Sequence, residues 1–186
     1  MEPTKAYQPE NLHYLKMLAR QYPNVQAAST EIINLHAIRN LPKGTEHFIS
    51  DVHGEYEAFL HILNSASGVV REKLDDLFAT TVSKADRDQL ATLIYYPQEK
   101  LEEIERETAD MREWYRITFH RLIEVCRLVS SKYTRSKVRK AMPPEYAYII
   151  DEMIHTHYED NDKRDYYENI ISTIIDIGRA SDFLVQ

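Results

Sequence analysis

Four glycines in 186 residues, Gly44, Gly54, Gly68 and Gly178, set the tightest limit on what this chain can fold into. Ordinary usage would supply about 13 in this length. Glycine is the residue that lets backbone turn left-handed or come close to a ligand, so an α/β enzyme usually spends several of them on its binding turns. A chain this poor in glycine, with long periodic polar–apolar stretches, is predicted to be mostly helix with few places where backbone can cradle a ligand.

The periodicity supports that reading. Pro9 opens a helix over 9–21 carrying Leu12, Leu15, Met17 and Leu18. A second helix starts near Pro23 and runs to about Arg39, with Ile32, Ile33, Leu35 and His36 predicted on its inner face. Tyr56, Phe59, Leu60 and Leu63 recur at helical spacing. Ser83-Lys84-Ala85-Asp86 reads as a capping box ahead of Leu90, Leu93 and Ile94. Pro97 opens a charge-rich helix, and its Glu99, Glu102, Glu103, Glu105 and Glu107 read as a solvated face. Residues 111–131 form the strongest stripe and should pack on two sides. Pro143-Pro144 stops the preceding helix. Tyr146, Ile149, Ile150, Met153 and His157 make the next stripe, Asn161-Asp162 marks a turn or cap, and Tyr167 to Gly178 holds the last. The sum is seven or eight helices.

One segment breaks the pattern. Thr45-Glu46-His47-Phe48-Ile49-Ser50 is short, β-prone and bounded by a Pro-Lys-Gly turn, which predicts a strand. Asp51-Val52-His53-Gly54 follows directly, and then the helix from Tyr56. Ligands of open α/β sheets gather at the carboxyl ends of strands. Asp51 and His53 alternate about Val52, so both can turn to one point while Val52 packs away. A carboxylate with an imidazole is a donor pair suited to Mn, Fe or Zn. Gly54 lets backbone approach a phosphate at the start of the following helix. With twelve Asp, eight His and four Gly, Asp-x-His-Gly arises by chance in about one such chain in 90. The bland rival is a surface loop in which Asp51 caps the helix and His53 is solvated. A lone strand cannot pair its own backbone, so the expectation is that its partners lie outside this polypeptide.

Composition narrows the function classes. The chain carries 23 Lys+Arg against 30 Asp+Glu, a formal net charge of −7, which argues against a nucleic-acid partner. The one cysteine, Cys126, excludes an internal disulfide framework and reads as a small buried hydrophobe. No apolar run is long enough to span a membrane, and the N-terminus lacks a signal-peptide layout, so the expected location is the cytoplasm. His13, His36, His61 and His120 lie in or beside helical stripes and read as packed or solvated. Lys132, Arg135, Lys137, Arg139 and Lys140 read as a solvated helix end.

The run His47-Phe48-Ile49-Ser50-Asp51-Val52-His53-Gly54-Glu55-Tyr56 resembles the first motif of the calcineurin-like metallophosphoesterases. The leader through Glu10-Asn11-Leu12, the phrase Phe59 to Gly68 and the stretch Tyr133 to Lys140 resemble, more narrowly, the class III fructose-1,6-bisphosphatases of bacteria. That resemblance runs over essentially the whole chain. It implies a mostly α chain that carries the first β-strand, loop and helix of an α/β metallophosphoesterase sandwich, an incomplete domain. Its parts would be N-terminal helices at 1–44, the strand, Asp-x-His-Gly loop and helix at 45–69, and a helical insertion at 70–186. It also implies a Mn²⁺-dependent phosphatase of gluconeogenesis that removes the 1-phosphate of fructose 1,6-bisphosphate at a two-metal site. Asp51 and His53 match the first two metal ligands, Gly54 offers backbone near the phosphate, and His47 is a candidate to orient the ligands. The partner would be a small sugar bisphosphate, with a homo-oligomer compatible.

The departures from that pattern carry an expectation of their own. The superfamily also uses a Gly-Asp motif, a Gly-Asn-His motif and a Gly-His-x-His motif. No glycine here is followed by Asp, Asn or His, and His155-Thr156-His157 lacks the glycine. The chain is therefore expected to be an N-terminal piece with no complete catalytic set, inactive alone. Two rival readings stay open: a part of another two-metal phosphoesterase, and a non-enzymatic helical binding module.

Overall fold

The computed structural model describes residues 9–43, 46–155 and 163–186. The chain divides into two compact units, Met1–Lys43 and Gly44–Gln186. Among the described residues there are eleven α-helices and no strand.

The first unit holds α1 (Pro9–Gln21) and α2 (Val25–Ile38). Asn24 caps α2, its side chain accepting the Ala27 N–H at 2.8 Å, which satisfies one of the helix's free amides. The expected inner face of α2 is not buried. Ile33 is 69% exposed, and Ile32 and Leu35 are exposed with it. An apolar stripe predicts which face a helix would bury, but burial needs a surface to pack on, and among the described residues no α2 side chain is fully buried.

The second unit runs through α3 (Tyr56–Asn64), α4 (Val69–Phe78), α5 (Lys84–Tyr95), α6 (Pro97–Glu107), α7 (Met111–Ser130), α8 (Arg135–Ala141), α9 (Ala147–Ile154), α10 (Arg164–Asp176) and α11 (Ala180–Val185). Local chemistry sets most of these bounds. Ser83 accepts the Asp86 N–H at 3.1 Å while Asp86 accepts the Ser83 hydroxyl at 2.8 Å, the reciprocal cap the sequence predicts. Pro97 occupies the first turn of α6, where a missing N–H costs nothing. Asp110 caps α7 through the Glu113 N–H at 3.1 Å. Gly178, at φ +70°, ends α10 in the left-handed region, and the Gly178 and Arg179 amides close back on the Ile175 and Ile174 carbonyls. That turn leaves room for α11.

α7 is the hub, packing on α4, α9 and α10. Its Phe119 is 2% exposed, stacks on Tyr115 at 5.7 Å between centroids and meets the edge of Phe183 at 5.3 Å. Leu74, Leu90, Leu101, Ile123, Met153 and Ile171 are among the residues that share the core with it. The acidic run of α6 faces water as expected, with Leu101 and Ile104 buried on the opposite side. Cys126 is exposed rather than buried: in a helix packed on several sides, a position one residue past the inward Val125 rotates out to the surface. His157, Asn161 and Asp162 lie outside the described residues. No described helix is long and apolar enough to cross a membrane.

Residues 46–50 are not a strand. They carry no regular structure, and Phe48 is 91% exposed. A strand exists only by pairing, and no partner strand stands beside these residues among the described ones.

Candidate metal-binding loop

The loop is built by two opposed demands on one short segment. Asp51 folds back on itself, its Oδ1 accepting the His53 N–H at 3.1 Å, the local turn that Asp side chains favour. The Val52 carbonyl then accepts the Glu55 N–H at 2.8 Å, with His53 at φ +47° and Gly54 at φ +76° between them. Two successive left-handed residues reverse the chain tightly. The Tyr56 N–H bonds the Gly54 carbonyl at 2.9 Å, and α3 starts there.

Gly54 meets its conformation at no steric cost, and open space surrounds it, so its backbone is accessible. His53 does not have glycine's freedom. A non-glycine residue in the left-handed region carries strain of about 1–2 kcal/mol, the kind of backbone that gathers at functional loops.

The turn brings the two predicted ligands together. His53 Nε2 lies 3.2 Å from Asp51 Oδ2. The side chains are 81% and 62% exposed, so water screens their mutual attraction and the pair adds little to stability. Val52 does not pack away between them. It is exposed, as is most of residues 46–58, because no sheet or opposing layer covers this side of the loop among the described residues. His47 is also exposed, with no hydrogen bond or ion pair to Asp51 or His53.

As a donor set, the pair fits part of a divalent-cation site. One carboxylate oxygen and one imidazole nitrogen lie side by side and open to solvent, and both are donor types that Mn²⁺ accepts. No group of three His, Cys, Asp or Glu side chains able to hold a metal forms among the described residues. His155, whose sequence neighbourhood resembles a ligand motif, is committed elsewhere: its Nδ1 lies 2.8 Å from the Asp151 carbonyl oxygen and 3.3 Å from Asp151 Oδ1. Two donors fall short of a full coordination shell, which would need further ligands.

Two other histidines make specific contacts that the sequence does not announce. His120 Nε2 pairs with Glu168 Oε1 at 3.0 Å, joining α7 to α10. His61 Nδ1 is hydrogen-bonded to the Tyr96 hydroxyl at 2.8 Å, and Asn64 Nδ2 donates to the Tyr95 carbonyl at 2.9 Å. Tyr95-Tyr96 just before Pro97 is the only sequence signal for this tie, and it specifies no partner.

The model of the family described as Firmicute fructose-1,6-bisphosphatase matches residues 13–186. The class 3 fructose-1,6-bisphosphatase of Clostridium botulinum strain Loch Maree is 58% identical to this chain over 176 residues, covering 95% of this chain and 26% of that protein. The class 3 enzyme of strain Hall is 57% identical over the same shares, and that of strain Alaska E43 is 57% identical, with 27% of it covered. This chain thus spans about a quarter of the length of the curated relatives it matches. No solved structure matches it.

Proposed function

Because this chain belongs to the Firmicute fructose-1,6-bisphosphatase family, we propose that it supplies the first metal-binding loop of a Mn²⁺-dependent, cytoplasmic enzyme. That enzyme hydrolyses the 1-phosphate of fructose 1,6-bisphosphate. The observation that carries the proposal is the convergence of Asp51 and His53 at 3.2 Å on a strained, solvent-open turn inside the matched region.

Asp51 and His53 would hold one Mn²⁺. When bound, the metal supplies Lewis-acid stabilisation of phosphoryl oxygens and lowers the pKa of a nucleophilic water. The chain's own contribution is orientation. The Asp51 turn fixes its Oδ1 on the His53 amide and leaves Oδ2 for the shared cation. Gly54 leaves backbone open on the side a phosphate would approach. His47, four residues before Asp51, is the residue of this chain proposed to orient the ligands. Residues 46–50 are proposed as the first strand of a metallophosphoesterase sandwich, formed when neighbouring strands take up their free N–H and C=O groups and cover Phe48.

The experiment is a chimaera that joins this chain to the portion of the Loch Maree relative that it does not cover. With Mn²⁺ and fructose 1,6-bisphosphate, the chimaera is expected to release inorganic phosphate. Asp51→Ala or His53→Ala should lower that rate by more than about 100-fold. Unchanged turnover in either variant would remove the loop from the active site. The 186-residue chain alone is expected to show no turnover, since two donors do not complete a site.

A further inference from the structure

The metal-binding loop leads straight into α3, and α3 meets the helical region through half-buried side chains and a set of polar contacts. No residue of α3 is buried, and its half-buried Phe59, Leu60 and Ile62 stand outside the core cluster. Its packing partner is α5. There, four contacts converge on one tyrosine pair. Asn64 Nδ2 donates to the Tyr95 carbonyl at 2.9 Å. His61 Nδ1 is bonded to the Tyr96 hydroxyl at 2.8 Å. The imidazole also meets Tyr95 edge-on at 5.5 Å and lies nearly parallel to Tyr96 at 6.0 Å.

The tyrosines themselves are firmly placed. Tyr95 ends α5, whose Leu90, Ala91 and Leu93 are in the core, and Tyr96 is pinned between α5 and Pro97 of α6. Between His61 and the first residue of α3 lies about one and a half turns of helix, a short and stiff connection. A segment with no fully buried side chain opens locally at low cost, so each of these polar contacts counts toward keeping the loop in register.

We propose that His61 and Asn64 are positioning residues: they fix α3 on the Tyr95–Tyr96 corner and thereby hold the Asp51–His53 turn in the geometry that binds a cation. The helical region is then a scaffold that sets the metal loop. As a role in metal binding, this rests on the reading of Asp51 and His53 as Mn²⁺ ligands.

The test uses the 186-residue chain with Tyr96→Phe, which removes one hydroxyl, His61→Ala, and His61→Gln, which keeps a polar group able to reach Tyr96. Amide exchange by NMR at Glu55, Tyr56 and Phe59 in metal-free protein is the first readout, with Ile123 and Val125 of α7 as reference. Tyr96→Phe and His61→Ala should speed exchange about fivefold at the three loop-proximal amides, the worth of one hydrogen bond, and leave α7 unchanged. His61→Gln should restore most of the protection. Mn²⁺-induced broadening of the His53 ring protons is the second readout. The apparent affinity should weaken about fivefold in Tyr96→Phe and recover in His61→Gln. Unchanged exchange at 55–59 overturns the proposal, and so does faster exchange throughout α7, which would mean a general loss of fold. Exchange that responds while the unsubstituted chain shows no Mn²⁺ broadening sinks the metal reading and leaves the coupling of α3 to the tyrosine corner standing.

Discussion

Arg135 reaches from α8 to α9 and donates through Nη2 to Asp151 Oδ2 at 2.9 Å, tying the two helices across the Pro143-Pro144 break. The Asp151 side chain is only 11% exposed, and it also faces Arg139 Nε at 3.9 Å and His155 Nδ1 at 3.3 Å. Arg135 and Arg139 of the basic stretch are therefore partners of a buried acid and not merely a solvated helix end. The hydrogen bond and charge of Arg135, with His155 and Arg139 behind it, hold the Asp151 carboxyl below the usual carboxylate range.

A depressed folded-state pKa gives stability that is fully present above the unfolded value, about 3.9, and is lost as pH falls through the folded value. Asp151→Asn is expected to destabilise the chain by about 1–2 kcal/mol at pH 7. Denaturant melts from pH 7 to pH 2.5 should show that gap closing as the acid limb is entered. A gap that stays constant across the range would contradict the assignment.

Phe119 sits where α7 meets α11, between Tyr115 and Phe183. Phe119→Ala should cost about 3–5 kcal/mol by leaving a cavity in a well-packed core. Chemical denaturation checks it: a midpoint shifted far down with an unchanged slope is expected. A loss under 1 kcal/mol would place Phe119 outside the core.

Gly54→Ala tests the turn itself. Nothing lies within 4 Å of the added methyl, so the cost is conformational, about 1 kcal/mol. It should appear locally, as faster amide exchange at Glu55 and Tyr56 with the melting midpoint of the chain nearly unchanged. A fall in the global midpoint would show that the turn is part of the cooperative core.

Much of the helical layout is legible because its signals are local. The Ser83–Asp86 cap, Pro97, the 111–131 stripe and Pro143-Pro144 each act within a few residues, and the helices begin or end where they predict. The Asp51–His53 turn is half legible. Spacing suggests a shared target, but the left-handed His53 backbone that brings the side chains together has no sequence signature. What fails is whatever depends on a distant partner. A β-prone run is a strand only when something pairs with it, so residues 46–50 stay irregular. The stripe of α2 names a face but not what covers it, so Ile32 and Ile33 lie open. The tie from His61 and Asn64 to Tyr95-Tyr96 joins residues more than thirty apart, beyond any periodicity. The short α11 after Gly178 carries too few residues to show a period of its own.

The central claim is that Asp51 and His53 share a cation, and calorimetric titration of Mn²⁺ into the 186-residue chain and its Asp51→Ala variant tests it most directly. The account predicts one weak site in the unsubstituted chain and none in the variant. Equal Mn²⁺ binding by both proteins would contradict it.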